Sequence, residues 1–250
     1  RISGGTGGNM GIRFTQIWED DWSNRRNVII DSIATILHTG HHTRIGARKC
    51  GITAITASDA DAFMDAYHIQ GHVHGSLRLA LTYEDHTQSV IICRLRGNHM
   101  MEIMRYATRE NALIQGGFTR LMRALLRANP DIDSVVTFSD HDCSDGGLYR
   151  HTGFTPDKEL PADYSYLVNG VRRHKFGYRK SRFRTDPTLK YQPGYTECEL
   201  ANINGLFRIW DAGKTRWVLK ISDSKHSPSS LRTVGEQGPR RRREHGIDRL

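Results

Sequence analysis

MEIMRYATRENALIQGGFTRLMRALLRANPDIDSVVTFSDHDCSDGGLYRHTGF, residues 101–154, is the stretch of the sequence that decides the fold. It predicts two strands and two helices in alternation: a strand over 101–110, a helix over 115–130, a short apolar strand over 133–140 and a short helix over 145–154. Glycines open the first helix, and a proline stops it. This alternation predicts an α/β fold.

The flanking sequence extends the same pattern. The predicted elements are a strand over 44–56, a helix that begins after Ser58, a hairpin of strands over 76–85 and 88–97 with its turn at Glu84–Thr87, and a strand over 163–168. Residues 44–168 therefore predict one domain with a mixed, mostly antiparallel sheet and helices on both faces. Two alternating runs within 205–221, around Ala212–Gly213, predict a closing C-terminal β-hairpin.

Both ends of the chain differ in composition from this domain. Residues 1–43 predict a Gly-rich leader over 1–11, followed by a strand and an amphipathic helix over 23–38, too little to form a domain. Residues 169–221 form a basic segment that ends in the predicted hairpin. Residues 222–250 are rich in Ser, Pro and Arg and predict a disordered basic tail.

Basic residues outnumber acidic residues in the whole chain. There are 36 Lys and Arg residues against 27 Asp and Glu residues, so the formal net charge is 36 − 27 = +9. This balance favours a polyanionic partner, either nucleic acid or an anionic membrane surface. No apolar run approaches the roughly 18 residues of a transmembrane helix, and the first ten residues lack the apolar core of a signal peptide.

The four cysteines are scattered. Cys50, Cys93, Cys143 and Cys198 include no CxxC pair. That spacing excludes a disulfide framework and lacks the pairing of a structural zinc site. We therefore expect the chain in a reducing cytoplasm.

The glycine pair Gly116–Gly117 lies where a predicted strand meets a predicted helix. Amides at a helix start have no intrahelical acceptor, and the helix dipole adds positive potential, so this junction suits a phosphate or pyrophosphate. Glycine also lets an anion approach the backbone closely. The alternative interpretation is a tight strand–helix turn with no ligand.

Residues 44–168 resemble the GNAT acyltransferase fold through QGGFTRL at the pyrophosphate loop and LYRHTGF at a later motif. The resemblance implies that acyl-coenzyme A is bound at Gln115, Gly116, Gly117 and Phe118. It also implies that Tyr149 protonates the departing thiolate. The usual Gln/Arg-x-x-Gly-x-Gly/Ala pattern is reduced here to Gln115-Gly116-Gly117. A half-buried aromatic side chain on a short helix is the alternative interpretation of Tyr149.

A second resemblance covers about residues 12–218. FTQIWEDDW, RIGARKCGI, YHIQGH, MRYATR, QGGFTRL, SDHDCSDGGLYRHTGF, PADYSYL and GLFRIWDAGKTRW, in that order, look like the C-terminal portion of bacteriophage homing-endonuclease-like proteins. This implies that residues 1–43 are the remnant of an upstream nuclease domain, that Mg²⁺ is used only by that domain, and that the protein acts in the cytoplasm of a phage-infected bacterial cell. The GNAT-like domain is also similar, by fold analogy, to phage Mom-type DNA-modification enzymes.

Three polar clusters are weighed as ligand sets. Glu19, Asp20 and Asp21 fit either a metal cluster or an acidic, solvated helix start. His68, His72 and His74 have a spacing that can share a metal on a helix, but Gly71 between them disfavours a continuous helix. We therefore predict no metal site. His141, in the loop after a predicted strand, is a candidate catalytic residue on the acceptor side.

The segment 171–190 interleaves basic and aromatic residues. It carries eight basic residues against the single acid Asp186. Each Lys or Arg that neutralises a phosphate releases a counterion, and aromatic rings stack on exposed bases. The predicted nucleic-acid-binding residues are Arg172, Arg173, Lys175, Arg179, Lys180, Arg182 and Arg184. The alternative interpretation is a solvated charged strand and loop.

Two functions therefore stay open from the sequence. In the first, favoured by the shortened glycine motif, the chain is a DNA-binding and targeting module of an endonuclease, with DNA as its partner and no membrane contact. In the second, favoured by the intact LYRHTGF, it is an active acyltransferase that uses acyl-coenzyme A to modify a nucleobase or another amine.

Overall fold

The computed structural model describes residues 15–221, except for residues 38, 41 and 98. The predicted leader over 1–11 and the predicted tail over 222–250 lie outside the described residues. Within the described part of the chain, no helix is long and apolar enough to cross a membrane.

Helices and strands alternate along most of the described chain. The α-helices are α1 (Glu19–Asn24), α2 (Arg26–Ile36), α3 (Ala57–Tyr67), α4 (Gly117–Ala128), α5 (Gly147–His151), α6 (Lys180–Thr185) and α7 (Glu197–Ile203). The strands are β1 (Thr43–Gly46), β2 (Gly51–Ala54), β3 (Leu77–Tyr83), β4 (His86–Arg96), β5 (Met100–Thr108), β6 (Ala112–Gln115), β7 (Ser134–Asp140), β8 (Thr155–Leu160), β9 (Tyr164–Val168), β10 (Val171–His174), β11 (Phe207–Trp210) and β12 (Lys214–Lys220). Short 3₁₀ turns occupy Ala47–Lys49 and Lys175–Tyr178.

The main sheet has the strand order β2-β3-β4-β5-β7-β12-β8. Every neighbouring pair is antiparallel except β5 and β7, which are parallel. The mixed, mostly antiparallel sheet predicted from the sequence is therefore confirmed. A parallel pair needs a crossover connection, and α4 supplies it between β5 and β7.

Helices cover both faces of this sheet. Both faces are apolar along β4, whose successive side chains contribute to different clusters. Val90 and Ile92 belong to the cluster under α3, whereas Ile91 and Cys93 belong to the larger cluster under α4. Residues one apart on a strand point to opposite faces. The two clusters therefore form the two halves of a three-layer core, as predicted.

The apolar spacing of α4 explains its docking. Phe118, Leu121, Met122 and Leu125 are buried, at the i, i+3, i+4, i+7 spacing that lines one face of a helix. The helix ends at Ala128, two residues before Pro130, where the proline ring disfavours further helix.

A second, three-stranded sheet has the order β10-β9-β11. It contains a β-hairpin, β9–β10, whose turn places Asn169 and Gly170 at positive φ. Helices α6 and α7 pack beneath it around a separate cluster of buried residues: Tyr166, Phe183, Leu200, Ala201 and Leu206.

The two strands predicted within 205–221 are present, but they do not pair with each other. β11 pairs with β9 in the second sheet, whereas β12 lies between β7 and β8 in the main sheet. Gly213 between them has φ +88°, and a Cβ there would lie 2.6 Å from the Leu160 carbonyl oxygen. The link therefore passes the chain from one sheet to the other.

Two of the strands predicted from the sequence differ from those in the structure. The strand expected before residue 22 is absent from the described residues, and Glu19–Asn24 is helical, with its acidic residues in the first turn where the helix dipole favours them. The predicted strand over 44–56 is divided by the turn Ala47–Lys49. Its first part, β1, pairs in parallel with β6, which the sequence did not predict.

Candidate active site

The parallel strands β5 and β7 separate after a short paired stretch. Their pairing ends at Glu102, opposite Val136. Two residues further along β5, Met104 has no partner on β4, so the register between these strands shifts by one residue. Such a bulge bends its strand. The bend leaves a cleft between β5 and β7 in the middle of the main sheet.

A cavity of about 270 Å³ lies at this separation. Thr137 spans the gap at its start, because its hydroxyl donates a hydrogen bond to the Ile103 carbonyl (3.3 Å). Arg105 holds the bulge, since its guanidinium donates to the carbonyls of Met104 (2.7 Å) and Gly71 (3.4 Å). The cavity is lined by Gln70, Glu102, Ile103, Met104, Arg105, Phe138, Asp140 and Lys214.

Tyr149 on α5 lies at the same end of the sheet. Its ring packs against Phe118, Phe154 and Trp217, with ring centroids within 6.1 Å. Its hydroxyl hydrogen-bonds with Thr137, the residue that spans the strand separation. Burial raises the pKa of Tyr149, so the hydroxyl keeps its proton at neutral pH. The residue therefore combines the half-buried aromatic role with a protonated hydroxyl. Tyr149 is not among the residues that line the cavity, and it reaches the strand separation through Thr137.

The four residues predicted to bind a cofactor divide into two groups. Gln115 and Gly116 are exposed, and Gly116 has φ +77° with no atom closer than 4.0 Å to a Cβ built on it. Gly117 and Phe118 are buried. A Cβ on Gly117 would lie 3.0 Å from the Tyr106 hydroxyl oxygen, and the Phe118 amide donates to that same hydroxyl. Gly117 therefore packs closely against Tyr106 and Ile114, whereas Gly116 has open space in front of it.

Basic residues that the sequence did not single out lie beside this helix start. The parallel pairing of β1 with β6 aligns Gly46 with Gln115. The next turn therefore lies next to α4, and Arg120 Nη1 donates to the Ala47 carbonyl oxygen (2.6 Å). Arg48 and Lys49 in that turn are exposed. Only the pairing of β1 with β6, which sequence periodicity does not show, would have identified them.

A second, polar cavity of about 390 Å³ adjoins the first. The two cavities share Gln70 and Asp140 in their walls. Helix α1 and strand β10 close the polar cavity on one side, and the segment after β7 closes it on the other, through Asp142 and Cys143. A molecule in the polar cavity would thus meet the strand separation at Asp140.

Arg172 holds α1 against β10 at the wall of this cavity. Its Nε lies 2.9 Å from Asp20 Oδ1, and its terminal nitrogen pairs with Asp21. Burial raises the pKa of Asp20, but two hydrogen bonds and the charge of Arg172 outweigh it and hold that pKa below its ordinary value. The acidic cluster therefore binds a guanidinium in the structure. The nucleic-acid role predicted for Arg172 stays a prediction, although its side chain is already engaged.

His141, the predicted acceptor-side residue, is, like Tyr149, not among the residues that line either cavity. Among the described residues, no hydrogen bond of His141 is with Thr137 or Arg105. Its Nε2 lies 2.8 Å from the Thr215 hydroxyl and 3.2 Å from Glu159, and its Nδ1 lies 3.2 Å from the Ala212 carbonyl oxygen. Its neighbours Asp140 and Asp142 face the polar cavity instead. The alternation of side chains along extended backbone is the signal that would have separated them from His141.

Some of the other basic residues of 171–190 form ion pairs, and others do not. Lys175 pairs with Asp163 (2.5 Å), and Arg182 pairs with Asp186 (3.0 Å). Among the described residues, no ion pair involves the exposed side chains of Arg173, Arg179, Lys180 and Arg184.

The aromatic ring of Phe176 lies among these basic residues. Its side chain is 60% exposed. The Arg179 guanidinium is 4.3 Å from its ring centroid, the Lys175 ammonium is 5.8 Å away, and the His174 ring centroid is 4.6 Å away.

The three clustered histidines have separate environments. His72 Nδ1 lies 2.8 Å from Asp65, whereas burial and the charges of Arg105 and Arg25 lower the pKa of His68 to about 3. Across the part of the chain that the structure describes, no group of three or more His, Cys, Asp or Glu side chains could hold a metal ion. None of the four cysteines forms a disulfide in the structure.

Comparisons with known proteins concern the overall fold. No protein-family model and no curated protein matches the chain. Among solved structures, the chain is similar to the ribosomal-protein-S18-alanine N-acetyltransferase from Escherichia coli, at 11% identity and a TM-score of 0.42, over 73% of this chain and 98% of that chain. It is also similar to Ard1 from Thermoplasma volcanium, at 12% identity and a TM-score of 0.40, over 70% and 99% of the two chains.

A third similar structure is a GNAT family acetyltransferase from Elizabethkingia anophelis with acetyl-CoA bound. Its identity is 15% and its TM-score is 0.39, over 69% of this chain and 99% of that chain. The fold class predicted from the sequence is confirmed by the strand order and the two helical layers described above.

Proposed function

We propose that this chain transfers an acyl group from acyl-coenzyme A to an amine. One observation carries the proposal: β5 and β7 separate beyond Glu102, and Tyr149 places a protonated hydroxyl, bonded to Thr137, beside the opening. A cleft through the middle of a sheet gives an extended thioester a path to that hydroxyl. When bound, acyl-coenzyme A supplies the activated acyl group.

The residues at the start of α4 fit the diphosphate of such a donor. The amides of Gly117 and Thr119 lie in the first turn of α4, where N–H groups have no hydrogen-bond acceptor within the helix. The helix dipole favours an anion at the same place. Gly116 leaves open space in front of them, where a Cβ would meet nothing nearer than 4.0 Å. Arg48 and Lys49, in the turn beside Gln115, would add positive charge. These residues would hold the diphosphate, with the cavity at Met104 beyond them.

The chain's own groups then have separable tasks. Thr137 orients the hydroxyl of Tyr149 through their hydrogen bond. Tyr149 gives its proton to the departing sulfur as the bond between carbon and sulfur breaks. A phenol is protonated at neutral pH, as a general acid must be before it gives up its proton, and burial raises the pKa of Tyr149 further. Arg105 keeps the bulge open through its bonds to Met104 and Gly71.

Tyr149→Phe tests this assignment. The change keeps the ring against Phe118 and removes only the hydroxyl. We expect the variant to bind acetyl-coenzyme A as the wild type does in a calorimetric titration. Release of the free thiol with an excess primary amine should be about 100-fold slower, the lower end of the usual range for a general acid. Equal thiol release by the two proteins would remove Tyr149 from the reaction.

A second candidate function is binding of single-stranded nucleic acid at 173–184, and the exposed ring of Phe176 is the observation that favours it. An exposed ring with nearby cations suits stacking of a base and pairing with its phosphates. Binding of a fluorescent oligonucleotide that weakens linearly in log affinity against log salt would support this function. Absence of any binding at low salt would contradict it.

The nuclease, phage and cytoplasmic assignments implied by the homing-endonuclease resemblance stay predictions. They concern a domain upstream of this chain and a cellular setting. The residues proposed for acyl transfer all lie in the part of the chain that the structure describes.

A further inference from the structure

We propose that the polar cavity between α1 and the segment after β7 receives the acyl acceptor as an ammonium group, and that the Asp140 carboxylate takes its proton. This inference rests on the proposed function and names its acceptor site.

Asp140 occupies the junction of the two cavities. It ends β7, and it shares with Gln70 the wall between the cleft and the polar cavity. Gln70 Nε2 donates to Asp140 Oδ2 (3.0 Å), which fixes the carboxylate across that wall. Its side chain is 17% exposed, so it remains open to a molecule in either cavity. The Asp140 carboxylate is therefore placed to accept a proton that is released at the strand separation.

Asp140 and Tyr149 act on the same guanidinium. Burial lowers the pKa of Arg105, whereas the nearby Asp140 carboxylate and the Tyr149 side chain, when ionised, raise it. Arg105 lies in the wall of the cleft, beside the bulge. The proton donor proposed for the sulfur and the proton acceptor proposed for the nitrogen are thus both near one residue of β5.

The charges around the polar cavity favour a cation. Arg172 pairs with both Asp20 and Asp21, and the charge of Arg25, which also lines the cavity, acts on Asp21. Asp140 and Asp142 remain as a pair of neighbouring carboxylates. Asp142 is 7% exposed and accepts the Ala212 amide (3.0 Å).

The environment of Asp142 disfavours its negative charge. Burial raises the pKa of Asp142, and the charge of Asp140 raises it further. An ammonium between them would relieve the repulsion. The other charged groups that face Asp140 are Lys214, 4.0 Å away, and Arg105.

The proton balance of the transfer closes with these residues. The bound ammonium first loses one proton to solvent through Asp140. Its nitrogen then bonds to the thioester carbonyl carbon while the bond between carbon and sulfur breaks. The nitrogen loses its second proton to Asp140, and the sulfur takes the proton of Tyr149. The proton on Asp140 then replaces the one lost by Tyr149, which leaves an amide, a thiol and one proton in solvent.

The test uses n-propylamine as the acceptor probe and the full chain as the protein. Carbon-detected NMR follows the side-chain carboxyl carbons, and Asp140→Asn identifies the Asp140 signal by its loss. We expect n-propylamine to shift this signal, while n-propanol and propionate leave it in place. This measurement needs no turnover, so it reports on the cavity alone.

Kinetics with the same probe complete the test. Asp140→Asn should slow thiol release from acetyl-coenzyme A by at least about 100-fold, with the calorimetric Kd for acetyl-coenzyme A within twofold of the wild type. Asp133→Asn, at an exposed position immediately before the same strand, is the matched control and should match the wild type in both.

Two failures are distinguishable. Wild-type protein that is folded but gives no heat with acetyl-coenzyme A would overturn the proposed function, and this inference with it. If acetyl-coenzyme A binds, then an unmoved Asp140 signal, no thiol release with n-propylamine, or an Asp140→Asn rate equal to the wild type would each overturn the inference alone.

Discussion

Asp20 accepts hydrogen bonds from two donor groups of Arg172, the backbone amide and the side-chain Nε–H, and the latter is shared between both carboxylate oxygens. The Arg172 amide donates to Oδ2 (3.1 Å), and Arg172 Nε lies 2.9 Å from both carboxylate oxygens. The two residues are 152 positions apart in the sequence. This pair ties helix α1 to strand β10 and thereby closes one wall of the polar cavity. The N-terminal helix is consequently part of the candidate acceptor site.

Loss of this pair should destabilise the protein. Asp20 is 11% exposed and Arg172 is 25% exposed. Asp20→Asn removes the carboxylate that accepts the Arg172 amide and Nε, whereas Asp21 still pairs with the guanidinium, so the cost is about 1–3 kcal/mol. We expect Asp20→Asn to lower the free energy of unfolding in urea at pH 7 by that amount. Asp131→Asn, an exposed acid, is the control and should have little effect.

The destabilisation should also depend on pH. The pKa of Asp20 is lowered in the folded protein, so its contribution is present above the unfolded value of 3.8 and is lost as the pH falls through the folded value. The difference in unfolding free energy between wild type and Asp20→Asn should therefore shrink below about pH 4. A difference that stays constant from pH 7 to pH 3 would show that ionised Asp20 contributes nothing.

The two glycines before α4 should respond differently to alanine. A Cβ on Gly117 would lie 3.0 Å from both Ile114 Cγ2 and the Tyr106 hydroxyl oxygen, and such overpacking costs about 1–3 kcal/mol. Gly46→Ala is the control, because a Cβ there meets nothing within 4 Å. Urea unfolding should show the loss for Gly117→Ala only; equal midpoints for the two variants would refute the packing role of Gly117.

The basic surface around Phe176 should determine the salt dependence of oligonucleotide binding. Changing Arg173, Arg179, Lys180 and Arg184 to Ala should reduce the slope of log affinity against log salt by about 0.7 for each phosphate of a single strand that the variant no longer neutralises. Arg127→Ala, an exposed basic residue on α4, serves as the control. Fluorescence anisotropy that gives the same slope for the quadruple variant and the wild type would exclude this surface.

Local patterns were sufficient to predict much of the fold. The i, i+3, i+4 spacing from Phe118 to Leu125 predicts α4, and the polar turn between β3 and β4 predicts the hairpin, in which Glu84 and Asp85 adopt positive φ. The four residues of β6 carry no such period. They form a strand because β1 pairs with them, 69 positions earlier at Thr43↔Ala112, and no local pattern reports a partner that distant.

The candidate site was also predictable only in part, because contacts between residues distant in sequence decide which way its side chains face. A glycine pair before a helix locates an anion site, but only the packing of Tyr106 shows that Gly117 faces the core and Gly116 faces solvent. His141 attracted the prediction by its chemistry, yet the backbone directs it toward Thr215 and directs Asp140 into the cavities. Orientation within a loop depends on the neighbouring strand β12, which follows more than 70 residues later.

Calorimetric titration with acetyl-coenzyme A tests the central claim most directly, on the wild type, Gly116→Asp and Gly194→Asp. Gly116 and Gly194 both have positive φ, at +77° and +87°, with open space around them, so the two variants share the backbone strain and the added charge. Only Gly116→Asp places a carboxylate before the amides of α4. We expect the wild type and Gly194→Asp to bind alike and Gly116→Asp to bind at least about tenfold more weakly, a change of about 1.4 kcal/mol. No heat from folded wild-type protein, or equal binding by Gly116→Asp, would contradict the account.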